Sequence, residues 1–352
     1  MKMKLSRDEL KSLMKNKMMK AGLPEDQAEV VSEILTWSDE RGYHSHGAVR
    51  VEYYSERIAK GGWTLDPKFD YKVTGPCSAI FDGDNASGYV ATKLATEKAI
   101  EMAKENGIAV VGVKNIAHSG ALGYYTEMAA QQDMVAITFC QSDPMAVPFG
   151  GTEPYYGTNP ISFAAPTADD RMVVFDMATT VQAWGKILDK RSRHEQIPDT
   201  WAVDEKGLPV TDPHLVNALV PLAGAKGYGL MMMVDVFSGV LLGVPFGKHV
   251  SSMYHDLSEG RGLGQMIIVM DPNRFVGIEQ FKKSMSQVCD ELSGMKPAPG
   301  HDKVYYPGER AVMRREKAYA TGGVDIADDV YAYLISEDIH FNRYDHKNRF
   351  AD

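Results

Sequence analysis

Apolar positions recur at helical spacing through the first sixty residues. Ser6-Arg7-Asp8-Glu9 has the spacing of a capping box and predicts a helix running to about residue 20. A second helix is expected over 24–41, with Pro24 near its first turn and Gly42 ending it. A third is expected over 48–60, stopped by Gly61-Gly62. After Pro76 the rhythm changes. The β-branched run IAVVGVK at 108–114 predicts a strand, followed by a loop at 115–120, a helix at 121–131 and a second strand at 135–139. Strand, helix and strand at this spacing predict a βαβ unit with parallel strands. A further buried strand fits 172–175, and 198–213 reads as loop, with turns at 204–207 and 212–213. Residues 224–229 lead into a Met-rich helix, and the apolar run 229–244 reads as a buried helix carrying Asp235, too short to span a membrane. A strand at 266–270, a helix at 278–292, a Pro-punctuated loop at 297–307, a charged helix at 309–320 and a mixed polar tail complete the pattern.

Composition narrows the class. A chain of 352 residues with 44% hydrophobic and 24% charged positions suits a globular protein of two lobes. A net charge of -9 opposes phosphate backbones and anionic lipid, so neither nucleic acid nor membrane is expected as a partner. Cys77, Cys140 and Cys289 are odd in number and lack metal spacing, which argues against a disulfide framework and for a reducing, cytoplasmic setting. The basic start lacks the apolar core of a signal peptide.

Candidate chemistry gathers at a few places. No GxGxxG follows an early strand, and the glycines of 260–265 precede a strand and read as a turn. In the βαβ unit, His118 lies just beyond the first strand, and Ser142 and Asp143 lie just beyond the second. Parallel strands would put both loops on one sheet edge, where open α/β sheets bind ligands. His118 could accept a hydroxyl proton there, or could simply cap a helix. In His44-Ser45-His46-Gly47, followed by Arg50 and Tyr54, the last two lie four apart on one helix face. They could clamp a carboxylate, or could sit on a solvated face with the histidines in a cap. His44, His46 and His118 could supply nitrogens to a metal, but their spacing matches no metal motif and no metal is expected. Lys226 and Gly227 open a helix and could hold an anion. Asp176 follows a strand and could bind ribose hydroxyls or cap the next helix.

The stretches RGYHSHGAVR, His118-Ser119-Gly120, GTNP, DMATT with Gly185-Lys186, WAVD and KGYGL run through nearly the whole chain. Together they resemble the malate/L-lactate dehydrogenase family that lacks a Rossmann fold. The resemblance implies an α/β fold: a three-layer, mixed-sheet, non-Rossmann nucleotide-binding domain with a helical lobe. The lobe would hold 1–74 with parts of 224–262 and 310–352, and the sheet domain 75–223 and 263–309. It implies NAD-dependent oxidation of a small 2-hydroxy acid by a homodimer or larger homo-oligomer. His118 matches the family's proton acceptor, and His46 a histidine that competes for the acid/base role. Arg50 and Tyr54 match substrate-contacting positions, with Asp143 beside them. Ser142, Asp176, Met177, Ala178, Lys226, Gly227, Gly308, Glu309 and Arg310 match cofactor-binding positions. NAD against NADP stays open. A metal-dependent hydrolase and a non-catalytic small-molecule binder are the alternatives from other classes.

Overall fold

The computed structural model describes residues 2–254 and 256–339. The chain opens with β1 (Lys2–Leu5), α1 (Arg7–Lys20), α2 (Glu25–Glu40) and α3 (Val51–Ala59). The capping box at Ser6 forms as expected, with the Ser6 side chain accepting from Glu9 N and Glu9 returning to the Ser6 amide. Then come β2 (Asp70–Gly75), β3 (Ser78–Ala86), α4 (Gly88–Asn106), β4 (Ile108–Ile116), α5 (Gly123–Ala130) and β5 (Val135–Cys140). Next are β6 (Ile161–Pro166), β7 (Met172–Met177), α6 (Trp184–Ser192), β8 (Ala202–Val203), β9 (Ala218–Leu219), α7 (Ala225–Ser238) and β10 (Leu263–Met270). The described chain ends with α8 (Ile278–Gly294), α9 (Glu309–Ala320), β11 (Val324–Ala327) and α10 (Asp328–Ile335).

The main sheet has seven strands in the order β2-β3-β4-β10-β5-β6-β7. Only β3 and β4 pair in parallel; every other neighbouring pair is antiparallel. Side chains alternate across the pleat and give two cores. Val111, Val113, Ile267 and Val269 face α4, where they meet Ala95 and Ala99 of that helix. Phe139, Met266, Val110 and Ile268 face the other way and meet Val234, Phe237 and Leu242 of α7 and its following turn. Helix, sheet and helix are therefore the three layers. The N-terminal helices form a further core outside α4 and α5, built on Leu10, Met14, Ile34, Leu35 and Tyr54 and closed by Tyr333 and Leu334 of α10. β1 pairs with β11, tying the two ends of the described chain together.

Two expectations need correction. β4 and β5 do not form a paired βαβ unit. They do run parallel to each other, but β10 lies between them, antiparallel to both. The helix at 229–244 is not buried all round. Met231, Val234 and Asp235 pack inward while Met232, Val236, Val240 and Leu241 are exposed. β2 pairs with β3 from Asp70 onward. The polar tail beyond residue 339 lies outside the described residues.

Candidate active site

The insertion of β10 leaves the key geometry intact, because parallel β4 and β5 still end on the same sheet edge. His118 follows β4, while Ser142 and Asp143 follow β5. β10 begins at that edge, with Leu263 opposite Ile116 and Gln265 opposite Cys140, so Arg261 arrives there too. The His118 loop is fixed from several sides. Ser119 Oγ donates to Gln265 Oε1 at 2.9 Å, and Tyr125 OH donates to the Ser119 carbonyl at 2.6 Å. The loop also presses on the start of α4: a Cβ on Gly88 would stand 2.1 Å from the Ala117 carbonyl, so only glycine fits.

Side chains from the N-terminal lobe complete the edge. Tyr54, on α3, places its hydroxyl 2.6 Å from His118 Nδ1. Tyr89, on α4, shares a 2.8 Å hydrogen bond with the Tyr54 hydroxyl, and both phenols are fully buried. The His46 ring stacks beside His118, with centroids 5.7 Å apart and an interplanar angle of 24°. Arg50 donates through Nε to the Ser45 carbonyl at 2.7 Å and through Nη1 to Tyr254 OH at 3.1 Å. Spacing alone left Arg50, Tyr54 and His46 open to a solvated reading; the structure brings Tyr54 and His46 onto His118 and the Arg50 charge near enough to act on both rings. His44 turns away, with Nδ1 2.9 Å from the buried Asp39 carboxylate. Among the described residues no group of three or more His, Cys, Asp or Glu is placed to hold a metal ion.

The electrostatics follow from this crowding. Burial, then the Arg50 charge, pushes His46 down to about 3. Burial, with His46, Arg50 and Arg261 nearby, holds His118 well below the ordinary imidazole value. Both rings are neutral near pH 7, and a neutral imidazole can accept a proton. Nδ1 of His118 is occupied by Tyr54, so Nε2 is the nitrogen left for a substrate. Burial also raises Tyr54 and Tyr89 well above the usual phenol range, so both keep their protons.

Asp143 is buried and already engaged. It accepts from Met253 N at 3.0 Å and lies 3.4 Å from Arg261 Nη2. Arg261 in turn donates to the Ser251 carbonyl and side chain. Asp143 thus fixes the 251–261 loop, which carries Tyr254 onto Arg50. Arg261 was missed in the sequence because it sits in the glycine-rich turn read only as a connection.

The candidate cofactor positions lie along the neighbouring strand ends. Ser142 Oγ is 3.2 Å from Thr158 Oγ1, and Asn159 bridges Ser142 N to the Met231 carbonyl of α7. Thr179, just after Ala178, bonds to the Thr158 carbonyl, and the Leu222 amide bonds back to Thr179. Ser142, the 177–179 turn and the α7 N-terminus therefore form one continuous surface. Gly227 lies against the Leu222 carbonyl, 1.8 Å from where a Cβ would stand. The amides of Ala225, Lys226 and Gly227 precede the first helical bond, from Tyr228 N to the Gly224 carbonyl. With the exposed Lys226 ammonium they suit an anionic group such as a pyrophosphate. Asp176 instead caps α5, accepting from Gly123 N at 2.8 Å, and burial raises it to about 6. Pro307 accepts from the Val174 amide, which seats Gly308 on β7. Glu309 pairs with Lys303, and the Arg310 guanidinium lies 4.4 Å over the Tyr305 ring. Those last two side chains are spent on their own loop.

Residues 5–335 match the family model of the malate/L-lactate dehydrogenases. The chain is 56% identical over 349 residues to the NAD(+) ureidoglycolate dehydrogenase of Escherichia coli K12, covering 99% of this chain and 100% of that one. It is 35% identical over 329 residues to a malate dehydrogenase of Pyrococcus horikoshii, covering 91% and 90% of the two chains. The solved sulfolactate dehydrogenase of Methanocaldococcus jannaschii superposes with a TM-score of 0.87 at 34% identity, covering 94% and 95%. The chain belongs to the malate/L-lactate dehydrogenase family.

Proposed function

We propose that this protein oxidises (S)-ureidoglycolate to oxalurate, with NAD as hydride acceptor. The observation that carries the chemistry is the convergence of a neutral imidazole, a guanidinium and a buried phenol at one sheet edge. A 2-hydroxy acid needs a cation for its carboxylate and a base for its hydroxyl, and Arg50 and His118 are those groups. Full-length identity of 56% to a ureidoglycolate dehydrogenase favours that substrate within the class.

Arg50 holds the substrate carboxylate and Tyr54 orients His118. His118 Nε2 takes the hydroxyl proton as the C2–H bond breaks. NAD would be held by Ser142, the backbone at Asp176, Met177 and Ala178, Lys226 with Gly227, and the backbone turn at Gly308, Glu309 and Arg310, and would supply the hydride acceptor for C2. An incoming carboxylate near His118 opposes the Arg50 and Arg261 charges and lifts the imidazole toward a useful basicity. His46 stays neutral and stacks against His118, filling space that water would otherwise occupy. Asp143 serves through Arg261 and the 251–261 loop.

A role in allantoin and purine breakdown, a cytoplasmic location and a homodimer belong to the same proposal. The free thiols Cys77, Cys140 and Cys289 support a reducing compartment. The exposed apolar face of α7 and its following turn supports a second copy packing there. The second reading is a malate, L-lactate or other 2-hydroxy-acid dehydrogenase, since one scaffold serves many substrates. Steady-state assays with NAD separate them. The proposal expects kcat/KM for ureidoglycolate to exceed that for malate and lactate by at least about 100-fold, or about 2.7 kcal/mol of discrimination. A higher kcat/KM with malate or lactate overturns it.

A further inference from the structure

A buried cation on α3, Arg57, holds the 251–261 loop. Arg57 is only 1% exposed, and a guanidinium taken out of water is tolerated only when its N–H groups find partners. Its Nε donates to Tyr53 OH at 2.8 Å and its Nη1 to the Glu259 carbonyl. Its Nη2 donates to the Asp256 carbonyl at 3.1 Å and the Met253 carbonyl at 3.3 Å. Three carbonyls of one short loop are thus gathered on one side chain. The ends of the loop are clasped as well: Ser251 Oγ donates to the Arg261 carbonyl at 3.0 Å, and Arg261 Nη2 donates to the Ser251 carbonyl at 2.8 Å. Tyr254 is the side chain that this strap delivers to the site. Its ring meets Tyr53 edge to face, with centroids 5.7 Å apart, and its hydroxyl accepts from Arg50 Nη1 at 3.1 Å.

We propose that Tyr254 is a substrate-binding residue, the second arm of a clamp in which it and Arg50 grip the substrate carboxylate, and that Arg57 is the positioning residue that holds it there. This rests on Arg50 holding that carboxylate. A phenol can accept and donate at once, and it has a single proton. The Tyr254 oxygen accepts from Arg50, so its own hydrogen is directed away from the guanidinium, and a carboxylate docking on Arg50 arrives beside it. A guanidinium offers five N–H groups and the phenol takes one, so Tyr254 stands next to the fork without taking the place of the substrate. Both side chains are half-buried, within reach of a ligand entering from solvent. A hydrogen bond to a carboxylate is stronger than one between neutral groups, and a ring already pinned by its loop loses little freedom on binding. A neutral donor also strengthens the grip without adding a further positive charge to those of Arg50 and Arg261, which already oppose protonation of His118.

Tyr254→Phe keeps the ring and its packing on Tyr53 and removes only the hydroxyl. KM for ureidoglycolate should rise about tenfold, with kcat and KM for NAD nearly unchanged, because the clamp serves ground state and transition state alike. Arg57→Lys should raise the same KM, since one ammonium cannot reach the carbonyls that the fork gathers, and Tyr254→Phe should add little in that background. An unchanged KM in Tyr254→Phe, or its full effect repeated on top of Arg57→Lys, overturns the proposal. Should Arg57→Lys fail to fold, Tyr254→Phe decides alone. A reading without turnover comes from titrating oxalurate into the enzyme loaded with NADH and following NADH fluorescence. The Kd for oxalurate should rise about tenfold in Tyr254→Phe; an unchanged Kd overturns the proposal. Arg50→Lys separates the two levels of the reading. If it raises KM while Tyr254→Phe does not, only the phenol arm fails; if it leaves KM unchanged, the carboxylate assignment itself fails.

Discussion

The two halves of the candidate site are built on different principles. Around His118, side chains do the work. Tyr54, Tyr89 and His46 come from separate elements and contact one another directly or through His118, and the Arg50 charge acts on both imidazoles. On the neighbouring strand ends, the backbone does it. Ser142, the turn at Ala178 and the α7 N-terminus are joined by main-chain bonds and by Asn159, while Lys226 is exposed and Glu309 and Arg310 are occupied locally. Proton transfer depends on which groups stand at one point, so side-chain identity matters there. A dinucleotide is held over a long surface by many amides, so no single side chain dominates.

Substitutions can break or sharpen this contrast. The largest effect is expected from His118→Asn, which should cut kcat by about 10²–10⁴-fold while NAD affinity, read by fluorescence titration, stays nearly constant. Next comes Arg50→Lys. An ammonium cannot reproduce the planar fork, so KM for ureidoglycolate should rise by about 10–100-fold in steady-state assays. An unchanged KM would take Arg50 out of the substrate site.

The third effect is on stability. His46 has its folded pKa lowered to about 3, so the folded state binds fewer protons than the unfolded one below about pH 6.5. Its contribution is fully present above that pH and is lost as pH falls toward 3. At pH 5 the loss reaches up to about 2 kcal/mol. Asp176, raised to about 6, acts in the opposite sense, favouring the fold below pH 3.8 and losing that preference as pH rises through 6. Denaturant unfolding should therefore show a smaller stability drop from pH 7 to pH 5 in His46→Asn than in the unmutated protein. The smallest effect is expected at Lys226→Ala. With the α7 amides still in place, KM for NAD should rise by only about 3–10-fold, and the change should shrink at high salt. A loss as large as that of His118→Asn would erase the contrast between the two halves.

Much of this was legible in the residues. The Ser6–Glu9 spacing marked α1, and the short β-branched runs marked β4, β5 and β10, each close to its observed bounds. Placing His118 and Asp143 on one edge needed only the parallel sense of β4 and β5, which holds although they do not pair. The intervening β10 could not be read, because it comes from more than 120 positions later in the chain and joins only through tertiary packing. The start of α4 was silent for a local reason. Ser87 makes no side-chain cap bond and a glycine follows, so Tyr89 carried no helical signal. Exposure of the α7 face was hidden because a uniformly apolar sequence does not distinguish a core helix from one that leaves an apolar face uncovered.

The central claim is that a guanidinium and an imidazole meet one substrate above the nicotinamide. A crystal structure with NAD and oxalurate bound tests it most directly. The account expects the oxalurate carboxylate on Arg50 and its C2 oxygen within hydrogen-bond reach of His118 Nε2. A product carboxylate held elsewhere, with Arg50 and His118 opening onto separate cavities, would contradict it.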